Sequence, residues 1–330
     1  MPSLKETKTR IGSVKGTLKI TSAMKLVASA KLHKAQQAVA GMLPYQKTLY
    51  RMLSTVAGGK LSFGAQSSQP SEDASLDALP PRIAIIAVSS NSSLCGGFNA
   101  NVVRKVLDTL REYAAAGIPD KNITVIPIGR KMADALRRIG KTPGPSEGEG
   151  SLSAPQSVIP GFDAGNLNHL IDRPSFPEAA GFAEALIDRF QDGDFDRIEL
   201  IYNHFVSTAS QVPTRETWLP FVPNTESLSF RGASEPKESP SSENPDRLWL
   251  YEPSREALVE ELLPKLMRLK IYTMLLDSSA AEHAARTVAM QMATDNGEDI
   301  LEALTLEYNK ARQQKITSEI LDIVGGSMQE

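Results

Sequence analysis

The residues best suited to chemistry lie in one turn, Ser89-Ser90-Asn91-Ser92-Ser93-Leu94-Cys95-Gly96-Gly97-Phe98-Asn99, between an apolar run and a helical pattern. Hydroxyl- and glycine-bearing turns of this kind hold phosphates when backbone N–H groups converge at a helix N-terminus. The spacing here is neither that of a dinucleotide fingerprint nor that of a P-loop, and no lysine follows to meet a phosphate. The other reading is a tight turn in which Gly96 and Gly97 serve chain reversal and packing of helix on sheet, so that Gly97→Ala would destabilise the region. Cys95 as a nucleophile would need a neighbouring histidine, but His33, His169, His204 and His283 fall in separate segments. Cys95 therefore reads as a buried thiol. The same scatter gives no zinc-ligand spacing, so no catalytic residue, metal or cofactor is expected.

The elements that must position this turn follow from composition and periodicity. The 330-residue chain is 41% hydrophobic and 23% charged, enough apolar surface for a core. One cysteine excludes a disulfide framework within the chain. There is no apolar run of about 18 residues for a membrane span, and the N-terminal residues lack a signal-peptide apolar core. Net charge is −3, yet from Leu4 to Ala57 ten basic residues face one acid, Glu6. The stretch after Ser254 tilts acidic, through Glu256, Glu260, Glu261, Asp295, Glu298, Asp299, Glu302 and Glu307. Three readings of the basic belt stand: a solvated face, an acidic protein partner, or the acidic tail of the same chain. Nucleic acid is disfavoured, because the belt lacks interleaved aromatics and matches no DNA-binding motif.

Ile11, Val14, Leu18, Thr21, Lys25, Ala28, Leu32, Ala35, Val39 and Met42 recur three and four apart, a heptad seam with Lys25 as its polar member. A helix over Leu4–Ala57 would run roughly 80 Å, with Pro44 as a bend. From Arg255 to Val324 the pattern is again helical, with Asn296-Gly297 expected to loosen it and Gly325-Gly326 to stop it. Two long helices at opposite ends of one chain predict an antiparallel pair. Between them Arg82–Val88, Asn122–Gly129 and Arg197–Asn203 read as strands, and Asn101–Ala116, a segment through Arg137 and Phe176–Phe190 as helices. The predicted fold class is α/β: a long antiparallel coiled coil of N- and C-terminal helices with a small central Rossmann-like domain on a mainly parallel sheet. Gly58–Pro80, Lys141–Pro160 and Asn224–Pro245 read as connectors or surface insertions.

The opening Leu4-Lys5-Glu6 with Ile20-Thr21-Ser22-Ala23-Met24-Lys25-Leu26-Val27-Ala28 closely resembles the gamma subunit of rotary ATP synthases. So do Ser279–Arg286, Ala293-Thr294-Asp295-Asn296, Tyr308–Gln313 and Ile316-Thr317 with Glu319-Ile320. Leu94–Asn99 and Ile128-Gly129-Arg130-Lys131 agree in the middle. Two departures stand out: the family's Asp-Arg-Gly before Leu-Cys-Gly-Gly is here Asn91-Ser92-Ser93, and Asn224–Pro245 looks like an insertion.

The resemblance implies a non-catalytic central-stalk rotor that couples proton or sodium flow to ATP synthesis and hydrolysis. Its partners would be the alpha and beta subunits, whose ring encloses the shaft, with the epsilon subunit and the c-subunit ring at the foot. It would be a peripheral membrane protein on the cytoplasmic face of a bacterial inner membrane. The implied division is a shaft over 1–58 and 253–330, a linker over 59–80, an α/β foot over 81–222 and an insertion over 223–252. By resemblance, Met24, Lys25, Arg286, Gln313, Thr317 and Glu319 are the residues that meet the alpha/beta ring. The bland alternatives are an ion pair of Glu319 with Lys315 and one of Arg286 with Glu282.

Overall fold

A computed structural model describes residues 3–57, 81–139, 167–221, 252 and 254–327. The expected linker over 59–80 and the stretches Lys141–Pro160 and Asn224–Pro245 lie outside the described residues. The chain forms two compact units, Met1–Ala30 with Arg286–Glu330 and Lys31–Ala285.

The terminal helices are α1, Leu4–Ala57, and α6, Arg255–Ser327. Both begin on a serine that caps the first turn: Ser3 Oγ accepts from Glu6 N at 3.2 Å, and Ser254 Oγ accepts from Ala257 N at 3.2 Å. Each helix runs on through its proline, Pro44 in α1 and Pro264 in α6. α6 also runs through the expected glycine stop, Gly325-Gly326, to Ser327.

In the first unit the two helices are antiparallel. Lys25 Nζ donates to Gln291 Oε1 at 2.8 Å, and Thr294 Oγ1 donates to Thr21 Oγ1 at 3.0 Å. One turn further along, Leu18 lies against Gly297. Each step of about one turn down α1 is thus matched by a step of about one turn up α6. Gly297 does not loosen the helix as its type suggested: a Cβ there would come within 2.7 Å of Leu18 Cδ2, so the missing side chain makes room for Leu18. In the second unit the pairing continues as a small-residue contact, with Leu32 and Ala35 of α1 beside Ala280 and Ala284 of α6.

The rest of the second unit is an α/β domain. Its strands are β1 (Ile83–Val88), β2 (Ile123–Ile128), β3 (Arg197–Phe205) and β4 (Gln211–Leu219), in the order β2-β1-β3-β4. β1 is parallel to both neighbours and β4 is antiparallel to β3, so the sheet is mainly parallel as expected. The helices are α2 (Phe98–Ala115), α3 (Arg130–Ile139), the short α4 (His169–Asp172) and α5 (Phe176–Gln191). β1 is buried at every residue, which is why it reads as an unbroken apolar run rather than an alternating one. Its alternate side chains still divide by face. Ile83, Ile85 and Ala87 pack with Val102, Val106 and Leu110 of α2 and with Met132 and Leu136 of α3. Ala84, Ile86 and Val88 pack with Phe182 and Leu186 of α5, Leu49 and Leu53 of α1, and Leu263, Leu266 and Leu269 of α6.

The sequence reading missed β4 and α4, ended β3 two residues early, and began α2 at Asn101 instead of Phe98. β4 carries Pro213, Thr214, Arg215, Glu216 and Thr217 in partly exposed positions and has no apolar period to detect.

Candidate functional site

The turn after β1 was the one place with the residues for chemistry, and its side chains are spent on the fold. Ser90 N donates to Asn99 Oδ1 at 3.0 Å, and Asn99 Nδ2 donates to Ser90 Oγ at 2.8 Å. Cys95 is buried, as expected, with Asn99 Nδ2 at 3.1 Å from its sulfur. The first turn of α3 is capped from the same segment. Arg130 N donates to Asn91 Oδ1 at 3.0 Å, Lys131 N to Ser90 O at 3.2 Å and Met132 N to Ser89 Oγ at 2.8 Å. Those are the N–H groups that a phosphate at this helix N-terminus would take. Asn91 also donates through Nδ2 to Asn168 O at 2.6 Å, so the departure from the family's Asp-Arg-Gly keeps a side-chain acceptor where α3 needs a cap.

In open parallel sheets the ligand crevice lies beyond the carboxyl ends of the strands where the order reverses, here between β1 and β3. Cys95, Phe98, Ala281 and Ala285 form one buried cluster there, with Phe205 packed against it. The chain's own α6 fills the place where this fold elsewhere admits a nucleotide.

Of the two glycines read as serving chain reversal in this turn, Gly96 has the left-handed backbone that reading needs and Gly97 does not. Gly97 has φ −78°, and a Cβ on it would meet only Asn101 Nδ2 at 3.4 Å, so chain reversal does not depend on it. The left-handed positions are Leu94 (φ 68°) and Gly96 (φ 57°). The indispensable glycine is Gly129, with φ 103° and Ser89 O only 2.2 Å from an ideal Cβ.

A second polar group ties α6 to the sheet. Asp277 of α6, 2% exposed, accepts from His204 Nδ1 at 2.6 Å and from Phe205 N at 3.1 Å. Lys270 pairs with Glu216 of β4 at 2.5 Å, and Tyr202 OH donates to Glu216 Oε1 at 3.1 Å. The bond to Asp277 raises the His204 pKa above its ordinary 6.5 against the opposing effect of burial. Burial raises Asp277 in spite of His204, and burial with the Glu216 and Asp277 charges pushes Tyr202 well above its ordinary value. On the opposite face of the sheet, buried Glu199 receives Arg215 Nε at 2.8 Å and Tyr113 OH at 2.5 Å. None of these pairings has a spacing that marks it in the sequence; His204 and Asp277 are 73 residues apart.

The six residues expected at a partner ring are not gathered into one cluster. Gln313, Thr317 and Glu319 are exposed near the end of α6. Thr317 Oγ1 donates to Gln313 O at 2.9 Å, which puts those two on one face. Glu319 lies about 200° round the helix from Thr317 and pairs with Lys315 at 3.5 Å. Met24 is half-buried, Lys25 is engaged with Gln291, and Arg286 is buried at 9% exposure. Lys8, Arg10, Lys15, Lys19, Lys31 and Lys34 of the basic belt are exposed. Among the described residues no helix is long and apolar enough to cross a membrane, and none form a cluster suited to a metal ion.

A family model described as ATP synthase matches residues 3–328. The ATP synthase gamma chain of Phocaeicola vulgatus is 46% identical over 329 residues, covering 99% of this chain and 100% of that one. The ATP synthase gamma chain of Bacteroides thetaiotaomicron is 44% identical over 329 residues, with 100% of both chains covered. In fold, the chain is similar to one from the mitochondrial ATP synthase of Euglena gracilis, solved as OSCP/F1/c-ring in rotational state 3, with TM-score 0.55 at 18% identity over 98% of this chain and 93% of that one. A chain from the rotor of the same organism's enzyme in rotational state 1 also has TM-score 0.55, at 19% identity over 95% of this chain and 98% of that one. With a family model spanning nearly its whole length and relatives this similar from end to end, the chain belongs to the ATP synthase gamma chain family.

Proposed function

We propose that this chain is the central-stalk rotor of an ATP synthase, coupling ion flow through a membrane ring to ATP synthesis or hydrolysis by rotation. It is not itself catalytic, and needs no cofactor of its own. Its partners are the alpha and beta subunits, the epsilon subunit and the c-subunit ring. It is peripheral to the membrane, on the cytoplasmic face of a bacterial inner membrane. The paired helices 1–58 and 253–330 serve as shaft, 81–222 as foot, 59–80 as linker and 223–252 as insertion.

The observation that carries this reading is the antiparallel pairing of helices 54 and 73 residues long, elements far larger than an α/β domain of four strands needs for its core. The exposed end of α6 supports it. Ile316, Ile320 and Ile323 stand at spacings of four and three, 47%, 55% and 72% exposed, an apolar stripe with Gln313 and Thr317 at its flank. A partner ring covers such a stripe. Met24, Lys25, Arg286, Gln313, Thr317 and Glu319 are the ring contacts in this proposal, with Gln313, Thr317 and Glu319 the directly accessible ones. The exposed lysines of α1 suit a shaft that meets acidic surfaces in turn, each pair contributing roughly 0–1 kcal/mol.

The test is co-purification from membranes. A tagged chain should bring alpha, beta and epsilon subunits with it, and ATP hydrolysis by that complex should pump ions into inverted vesicles. A chain that purifies alone, or binds ATP saturably by itself in calorimetry, would overturn the reading.

A further inference from the structure

We propose that Asp277 and Lys270 form a two-point clamp through which the sheet holds α6 against rotation about its own axis. The proposal rests on the rotor reading and names the residues that carry load between sheet and helix.

Lys270 and Asp277 are seven residues apart on α6, within about 20° of the same face. They grip adjacent strands: Asp277 takes the His204 imidazole and the Phe205 amide of β3, and Lys270 takes Glu216 of β4. The grip on β3 has two contacts, one to the His204 side chain and one to the main chain at Phe205, and it needs both to fix the helix. Asp277 is nearly fully buried, and a buried carboxylate tolerates no loss of its partners.

Position on the helix shows why the polar contacts matter. Before Asp277, α6 buries Leu266, Leu269, Met274 and Leu275, large side chains that interdigitate with the core. After it the residues next buried are mostly small, Ser278, Ser279, Ala280, Ala281, Ala284 and Ala285, with the larger Glu282, Arg286 and Met290 buried among and beyond them. Apolar burial is non-directional and resists separation more than rolling. Hydrogen bonds have steep angular requirements, so a roll of part of one residue's 100° misaligns Asp277 with the Phe205 amide and stretches Lys270 away from Glu216. Asp277 stands where the buried face of α6 passes from large apolar side chains to mostly small ones, so a directional contact there adds what the packing supplies less of.

The experiment uses the assembled complex in inverted vesicles and reads ions pumped per ATP hydrolysed. Asp277→Ala and His204→Ala should lower that ratio at least threefold under an opposing gradient and much less without one, while Asp277→Glu restores it. Hydrolysis measured alongside reports assembly. If Asp277→Ala fails to assemble, His204→Ala decides, because it leaves the Phe205 amide on Asp277. A ratio equal to wild type under load in either assembled variant would overturn the clamp. A wild-type complex that hydrolyses ATP without pumping would instead overturn the rotor reading.

Discussion

Leu18 of α1 occupies the space that a side chain at position 297 of α6 would need, its Cδ2 lying 2.7 Å from the ideal Cβ. The glycine that looks like a weak point in a long helix is the seat of a leucine from the partner helix. Its helix-propensity cost, about 1 kcal/mol against alanine, is set against close approach of the two backbones.

Gly297→Ala should therefore gain little, since the propensity benefit is offset by displacing the tip of Leu18. Gly297→Val should destabilise by about 1–3 kcal/mol through overpacking. Adding Leu18→Ala should recover much of that loss. Urea unfolding of the two single variants and the double variant gives the coupling; additivity within about 0.5 kcal/mol would show that the two positions do not touch.

Two other glycines should respond in opposite ways. Gly129→Ala forces a side chain onto φ 103° and against the Ser89 carbonyl, and should cost about 3 kcal/mol or more. Gly97→Ala, in right-handed helical geometry with its Cβ in ordinary contact with the Asn101 side chain, should stay within about 0.5 kcal/mol of wild type. Thermal melting of both variants checks the contrast, and equal losses would refute it.

The His204–Asp277 pair should make stability depend on pH. A folded-state pKa raised above the unfolded value means that the native state binds the proton more tightly. The stability it contributes is full below the unfolded value of 6.5 for His204 and is lost as pH rises through the raised value. Asp277, also raised, has the same sign at lower pH, above its unfolded value of 3.8. Wild type should thus lose more urea resistance between pH 6 and pH 8 than His204→Gln does. Parallel curves for the two proteins would remove His204 from this account.

At the end of α6, the Lys315–Glu319 pair alone is worth a few tenths of a kcal/mol. The triple variant Gln313→Ala, Thr317→Ala, Glu319→Ala should leave the helicity and melting of the full chain unchanged and lower coupled turnover of the complex severalfold. Normal turnover and pumping by the triple variant would exclude these residues as ring contacts. A fall in helicity would return them to a purely local role.

Much of the fold is legible in the sequence because it follows from period. The seam from Ile11 to Met42 defines α1, an unbroken apolar run defines β1, and a run interrupted only by Thr124 defines β2. β4 was illegible because an edge strand with one partner need not alternate, and its Pro213 and charged residues imitate a loop. The sequence misleads at Gly297 and Gly97 and does not single out Gly129, because a glycine's meaning lies with its neighbour: Leu18 opposite Gly297, the Ser89 carbonyl opposite Gly129, and only the Asn101 side chain opposite Gly97. The joint of Ser89, Ser90 and Asn91 with α3, and of Asp277 with β3, depends on residues brought together only by the sheet. Spacing along the chain carries no trace of it.

The pairing of α1 with α6 has a consequence for how the protein is made. Thr21 and Thr294 are 273 residues apart, so this contact is among the most non-local a chain of this size can form. At roughly 5–20 residues per second on the ribosome, Thr21 is synthesised roughly 15–55 s before Thr294 exists. During that interval the seam of α1 has no partner within the chain. The first helix to emerge is the last to be completed, and its Thr21 and Lys25 wait in water for Thr294 and Gln291 until almost the whole chain has been translated.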